Sequence, residues 1–164
     1  LHQDSLLVSA LNRGGNKLDQ YLPVTGEITH HPVADGTEVE VKLGMENQTP
    51  VEGLNVFVEG PFPFSGFAAG EYRAILSVNV PFAASNISLD GGGGLVASGP
   101  DGNTRVVARD VILGRGQRLD ATLHFTVPKG YEHLRVEPSA RYPAISWSAD
   151  GQHWRDDAVR TIDW

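Results

Sequence analysis

The clearest strand pattern in the chain is the stretch of residues 117–127, which reads QRLDATLHFTV. Its apolar side chains alternate with polar ones and are those of Leu119, Ala121, Leu123, Phe125 and Val127. An alternation with a period of two residues predicts a β-strand with one buried face. A second run of strand length, residues 104–113, precedes it across Gly114-Arg115-Gly116. We therefore predict one long antiparallel hairpin at the centre of the fold.

Two earlier stretches, residues 37–46 and 71–80, show the same alternation. Shorter candidate strands lie at residues 5–11, 53–58, 86–89, 94–98 and 134–136, and a tail hairpin is predicted at residues 145–154. Residues 86–89, 94–98 and 104 onward are expected to form a meander. Asp-Gly pairs begin at residues 35, 90, 101 and 150, each between candidate strands, where a hairpin turn favours positive φ.

Residues 19–33 are interpreted as one long, kinked strand. Pro23 and Gly26 fall inside it, and proline cannot donate to a ladder, so we expect an edge strand or a bulge there. About ten short strands without a helical repeat indicate an all-β fold. The preferred architecture is a single domain over residues 1–164, an antiparallel two-sheet sandwich of immunoglobulin-like type. A closed barrel is the other solution.

Composition limits the classes of partner. The chain has 164 residues, 20 acidic and 13 basic side chains and a net charge of −7, which argues against nucleic acid. Without cysteine, neither disulfides nor thiolate metal sites are available. No apolar run approaches the about 20 residues of a membrane span, so no membrane contact by this domain is expected. Leu1 is interpreted as a cut inside a longer protein, with any anchor upstream.

The segment from Asp4 to Leu22, which reads DSLLVSALNRGGNKLDQYL, resembles the start of the C-terminal β-rich region in actinobacterial proteins of the DUF4012 family. Looser matches keep the family's order at residues 47–50, 60–61, 80–81, 89–91, 114–117 and 127–128. The resemblance implies an extracytoplasmic cell-envelope domain, tethered through an upstream transmembrane helix. Its partner would be the N-terminal domain of the same protein, which this chain lacks. The family has no established biochemical function, so the resemblance supplies no catalytic residues.

Asn12, Asn16, Lys17 and Asp19 form a polar group around a glycine turn. They could bind a carbohydrate or an ion. Alternatively, the Asn and Asp side chains fix the turn through their own backbone, while Lys17 pairs with a carboxylate.

Trp147 and Trp154 lie near the ends of the tail hairpin. Tryptophans in such hairpins can stack on a sugar ring, which makes a carbohydrate-binding module for cell-wall polysaccharide the alternative function. Such tryptophans also commonly pack into the core or across to a neighbouring strand.

Phe62, Phe64 and Phe67 lie in a proline-rich loop. They could dock on a partner domain or seal the end of the sandwich.

We expect no catalytic site, cofactor or metal centre. His30 and His31 are adjacent strand residues and point to opposite faces, so they cannot chelate one metal together. Asp101-Gly102-Asn103 and Asp156-Asp157 offer oxygens for calcium, but no repeated calcium-loop spacing accompanies them. Gly91–Gly94 precedes a strand rather than the helix of a phosphate-binding loop. The sequence therefore predicts a non-enzymatic extracytoplasmic domain with a structural or interaction role.

Overall fold

A computed structural model describes residues 1–60 and 66–164, and it folds them into a sandwich of two six-stranded sheets. The strands are β1 (Ser5–Asn12), β2 (Val24–Val33), β3 (Gly36–Glu46), β4 (Tyr72–Pro81), β5 (Ser85–Asp90), β6 (Leu95–Asp101), β7 (Thr104–Leu113), β8 (Arg118–Pro128), β9 (His133–Val136), β10 (Ser146–Ala149), β11 (Gln152–Arg155) and β12 (Arg160–Asp163). A 3-10 helix covers Leu18–Tyr21, and a short helix, α1, covers Val56–Glu59.

The first sheet has the order β12-β9-β1-β4-β7-β6, and the second sheet has the order β11-β10-β2-β3-β8-β5. The predicted all-β sandwich is confirmed. Two pairs, β1 with β9 and β10 with β2, are parallel, so both sheets are mixed rather than purely antiparallel. The immunoglobulin-like assignment stays a prediction.

The core lies between the two sheets and is built from the alternate residues that each strand turns inward. Leu123, Phe125 and Val127 of β8 have exposed fractions of 0–1%, and Leu76 and Val78 of β4 face them from the first sheet. Full burial of an aliphatic or aromatic side chain contributes about 1.5–3 kcal/mol. The alternation therefore stabilises the two layers strand by strand.

The predicted hairpin of residues 104–127 is wrong in its pairing, although both strands exist. β7 pairs with β4 and β6, whereas β8 pairs with β3 and β5, so residues 114–117 cross between the sheets. Asn47, at the end of β3, holds this crossing: its amide donates to the carbonyls of Gly70 and Leu113, both at 2.8 Å. Alternation shows which face is buried, but it does not identify the neighbouring strand.

The expectation for residues 19–33 is wrong at its beginning. The 3-10 helix occupies Leu18–Tyr21, and β2 begins only after Pro23. β2 is also internal, between β10 and β3, rather than at an edge. Gly26 serves a packing need, because a Cβ there would lie 2.2 Å from Cζ3 of Trp147.

Three further differences concern short segments. Residues 53–58 do not form a strand, because Asn55 caps α1 by accepting a hydrogen bond from the Phe57 amide at 3.0 Å. β5 belongs to the second sheet and β6 to the first, so the predicted meander is broken at Asp90-Gly91. The other three Asp-Gly pairs lie at turns between paired strands, and β12 was not predicted.

The segment after Pro128 extends both sheets. β9 and β12 pair beside β1 in the first sheet, and β10 and β11 pair beside β2 in the second. In residues 1–60 and 66–164, no helix has the length and apolar character of a membrane span.

Candidate functional site

The outer face of the second sheet carries a groove of about 810 Å³ that crosses β11, β10, β2, β3 and β8. Its floor is low because the register aligns three residues with small side chains, Ser146, Thr25 and Gly44, in one row. Longer side chains surround this row, and they are those of Glu27, Lys42, Arg118, Asp120, His153 and Arg155. The volume lies in the range of small-molecule sites, about 300–1,000 Å³.

Gly44 keeps the centre of the groove open. A Cβ at Gly44 would lie 2.6 Å from Nη2 of Arg118 and 2.7 Å from Oγ1 of Thr25. Both atoms belong to side chains rather than to the backbone; the Arg118 end is flexible, whereas the Thr25 hydroxyl can move only by a change of χ1. A side chain at this position would fill the groove without disturbing the sheet.

The charged groups of the groove differ in their pairing. Arg118 donates from Nε to Oδ1 of Asp120 at 2.8 Å, and this hydrogen bond lowers the pKa of the Asp120 carboxyl. Lys42 lies 3.2 Å from Glu40, which is outside the groove. In the described part of the chain, Glu27 and Arg155 make no ion pair, and Arg155 reaches only Oγ of Ser146 at 3.5 Å. The groove thus offers one carboxylate and one guanidinium without a charged partner.

The outer face of the first sheet is mixed, and on β1, β4 and β7 about half of its outward side chains are aliphatic. Its outward aliphatic side chains on β1, β4 and β7, here called the apolar face, are Leu7, Leu11, Ile75, Val106, Ala108 and Ile112. The exposed fraction is 56% for Leu11 and 48% for Ile112. On these three strands, which the structure describes in full, the charged outward residues are Arg73 and Asp110. This surface contrasts with the polar groove on the opposite side.

The structure brings Asn12, Asn16 and Asp19 together. The Asn12 amide donates to Oδ1 of Asn16 at 3.1 Å and to Oδ2 of Asp19 at 2.9 Å. The Asn16 amide donates to the Glu71 carbonyl at 3.0 Å. Lys17 is exposed, and its backbone amide donates to the Val58 carbonyl at 3.0 Å. These bonds satisfy the polar groups of Asn12, Asn16 and Asp19 internally, as the turn-fixing alternative requires. Among the described residues, the ammonium of Lys17 makes no ion pair with a carboxylate, so that part of the alternative is not observed.

Tyr72 and Arg141 belong to the same network because both donate hydrogen bonds to Asp19. The Tyr72 hydroxyl donates to Oδ1 of Asp19 at 2.8 Å, and Arg141 donates to the carbonyls of Asp19 and Leu22. Burial raises the pKa of the Tyr72 phenol, and the Asp19 carboxylate raises it further. The phenol therefore stays protonated as the donor that Asp19 needs.

Trp147 and Trp154 are cross-strand partners whose rings stack with centroids 6.3 Å apart. Trp147 has an exposed fraction of 2%, and its Nε1 donates to Oδ1 of Asp156 at 3.2 Å. Trp154 is half-buried, with one ring face against Trp147. The structure thus places Trp147 in the core and leaves only part of Trp154 accessible.

Phe62 and Phe64 lie outside the described residues. Phe67 is half-buried, and the guanidinium carbon of Arg73 lies 4.1 Å from its ring centroid. A cation over an aromatic face at this distance is stabilising. This contact places Phe67 beside the outer side of β4, next to the apolar face.

The histidines and aspartates considered for metals are engaged elsewhere. His30 lies 3.3 Å from Asp150, and His31 lies 3.0 Å from Glu38. Asp156 is buried and accepts from the backbone amide of Ser139 at 2.8 Å as well as from Trp147. Within residues 1–60 and 66–164, no cluster of three or more potential ligands could hold a metal ion.

Sequence reasoning missed the groove and the buried role of two polar residues, Asn47 and Asp156, of which Asp156 was considered only as a calcium ligand. Asn47 has an exposed fraction of 1%, and its Oδ1 accepts from the Thr49 amide at 3.1 Å. An Asn or Asp directly after a strand was a signal for such a residue. The groove had no comparable signal, because its floor forms only when β10 lies beside β2. Comparison of the chain with protein-family models, curated proteins and solved structures finds no match.

Proposed function

We propose that this chain is a non-enzymatic interaction domain whose partner covers the apolar face of the first sheet. The observation that supports this proposal is the exposure of Leu11 and Ile112, each about half accessible on a sheet surface. The solvated face of an antiparallel sheet is normally polar. A contiguous exposed apolar patch marks an interaction surface.

The register makes this patch continuous around Leu11, Ile75 and Ile112. Leu11 is the cross-strand partner of Ile75, and Ile112 is the partner of Arg73, one row farther along β4. Ile75 and Ile112 are therefore diagonal neighbours on the same face, within reach of each other. Phe67 packs on Arg73 and extends the patch toward the loop end of the sandwich.

The partner we propose is the globular region that precedes the β-rich part in DUF4012-like proteins. The net charge of −7 disfavours a phosphate backbone as the occupant. An aliphatic patch instead suits another folded domain, which can bury it at a low cost in polar desolvation. On the same resemblance, we propose that the domain is extracytoplasmic and is tethered to the membrane through an upstream helix.

The test is binding between this domain and the preceding region, produced as separate chains and measured by calorimetry. Replacing both Leu11 and Ile112 with Glu should weaken binding by at least about tenfold, because two charges would then be buried without partners. The matched control places Glu at Thr29 and Thr126, which point outward from the second sheet.

Unchanged binding in the double Glu variant would contradict the proposal, as would failure of the unsubstituted domain to bind. A dimer of this domain that the same two substitutions dissociate would identify a second copy as the occupant instead.

A further inference from the structure

We propose that the groove of the second sheet binds an acidic saccharide, a chain of sugar rings that carries carboxylates. The groove lies on the face opposite the apolar face, so this inference goes beyond the docking function. Either proposal can fail while the other holds.

The floor of the groove is suited to a ligand rich in hydroxyls. Four side-chain hydroxyls point outward there, those of Thr25, Thr122, Ser146 and Ser148. In the described residues, Ser146 accepts one long contact from Arg155, and none of the four donates a hydrogen bond. Each hydroxyl can donate one hydrogen bond and accept two. Sugar hydroxyls have the same dual capacity and can meet them along the row.

The charged side chains of the groove favour a saccharide that carries a carboxylate. Its side chains include three permanent cations and two carboxylates, whereas the whole chain has 13 basic and 20 acidic residues. Arg118 already forms an ion pair with Asp120. Arg155 is therefore the guanidinium of the groove that can bind an anion. A guanidinium can hold a carboxylate through two parallel hydrogen bonds. Glu27, across Ser148 from β11, remains an acceptor for sugar hydroxyls.

This site differs from a tryptophan platform. The buried ring of Trp147 cannot stack on a sugar, and Trp154 has one face covered. The polar row of the sheet, rather than the rings, would provide the contacts. Trp154 is the cross-strand partner of the buried Trp147, so its ring lies on the inward face of the sheet, on the side away from the groove.

The experiment titrates the domain with tetrasaccharides of galacturonic acid, of mannuronic acid and of hyaluronan, and measures binding by calorimetry. At least one should bind, and its methyl-ester form should bind about tenfold more weakly, because a charge-assisted hydrogen bond is lost. Failure of all three to bind would overturn the proposal, and so would equal affinity for acid and ester.

Two variants locate the site. Arg155→Gln should remove the preference for the acid over the ester, whereas Arg105→Gln, an exposed arginine on β7, should preserve it. Gly44→Val should abolish binding by filling the floor. Full binding by a folded Gly44→Val variant, or an unchanged preference in Arg155→Gln, would place the ligand elsewhere and overturn the proposal.

Discussion

The two outer faces of this sandwich rest on equally apolar interiors but differ in what they present to solvent. On β2, β3 and β8 the outward side chains are hydroxyl, charged or histidine groups together with Gly44, except at one end, where Val33, Gly36 and Pro128 lie. On β1, β4 and β7 about half of the outward side chains are aliphatic. Inward residues must be apolar for the fold to form. The outward residues are free of that requirement, so the difference between the faces points to function.

Replacing each of two glycines on adjacent strands with alanine should give the largest difference in the free energy of unfolding. Gly26 faces inward and Gly44 outward, so Gly26→Ala drives a Cβ into the buried ring of Trp147, while Gly44→Ala requires only that the exposed Arg118 side chain and the Thr25 hydroxyl move. Urea unfolding should show a loss of about 1–3 kcal/mol for Gly26→Ala. For Gly44→Ala, a change within about 0.5 kcal/mol is expected. Equal losses would mean that the two faces of the second sheet are misassigned.

A second comparison contrasts polar groups that are paired internally with those that face the groove. Asn16→Ala breaks the bonds to Asn12 and Glu71 and should lower the free energy of unfolding by about 1–2 kcal/mol. Ser146→Ala should leave it within about 0.5 kcal/mol. If thermal melting showed no change for Asn16→Ala, the Asn12–Asp19 turn would regain its standing as a ligand site.

Exchanging the character of the two outer faces should change association more than stability. Lysine at Leu11 and Ile112 should alter the free energy of unfolding by about 0.5 kcal/mol or less, because both side chains are about half exposed. Leucine at Glu38 and Thr126, which are cross-strand partners on the outer face of the second sheet, should instead promote self-association by creating a new apolar patch. Sedimentation velocity of the two double variants checks both expectations. Greater self-association of the lysine variant would contradict the distinction.

The smallest expected effect on stability is that of the ion pair between Arg118 and Asp120 in the groove. The hydrogen bond from Arg118 lowers the pKa of Asp120 in the folded state, so its stabilisation is present above the ordinary aspartate pKa. That stabilisation is lost as the pH falls through the lowered value. A carboxyl NMR titration should give a midpoint below the ordinary range, and Arg118→Gln should raise it. An unchanged midpoint in the variant would mean that the pair is not formed in solution.

Much of the layered architecture could be predicted from periodicity alone. Residues 37–46 and 71–80 became β3 and β4 with the expected faces buried, because a two-residue period constrains each strand by itself. Strand pairing could not be predicted in the same way. The crossing at residues 114–117 depends on Asn47, which is distant in sequence from Leu113, and no local pattern identifies such a bond.

The candidate sites show the same division. The bonds among Asn12, Asn16 and Asp19 are local, and the sequence already indicated that they could fix the turn. The row of Ser146, Thr25 and Gly44 joins three strands from both ends of the chain. It arises only after folding, which is why a search for motifs along the chain did not find the groove.

The last strands bear on how this protein is synthesised. Until residues 133–163 leave the ribosome, β1 and β2 lack their neighbours β9 and β10, so each growing layer has a border of unsatisfied backbone amides and carbonyls. Such borders pair readily with other chains. A nascent chain stalled before His133 would therefore be open to misassembly on both layers, and synthesis of residues 133–149 covers these borders at residues 5–6 of β1 and 25–28 of β2.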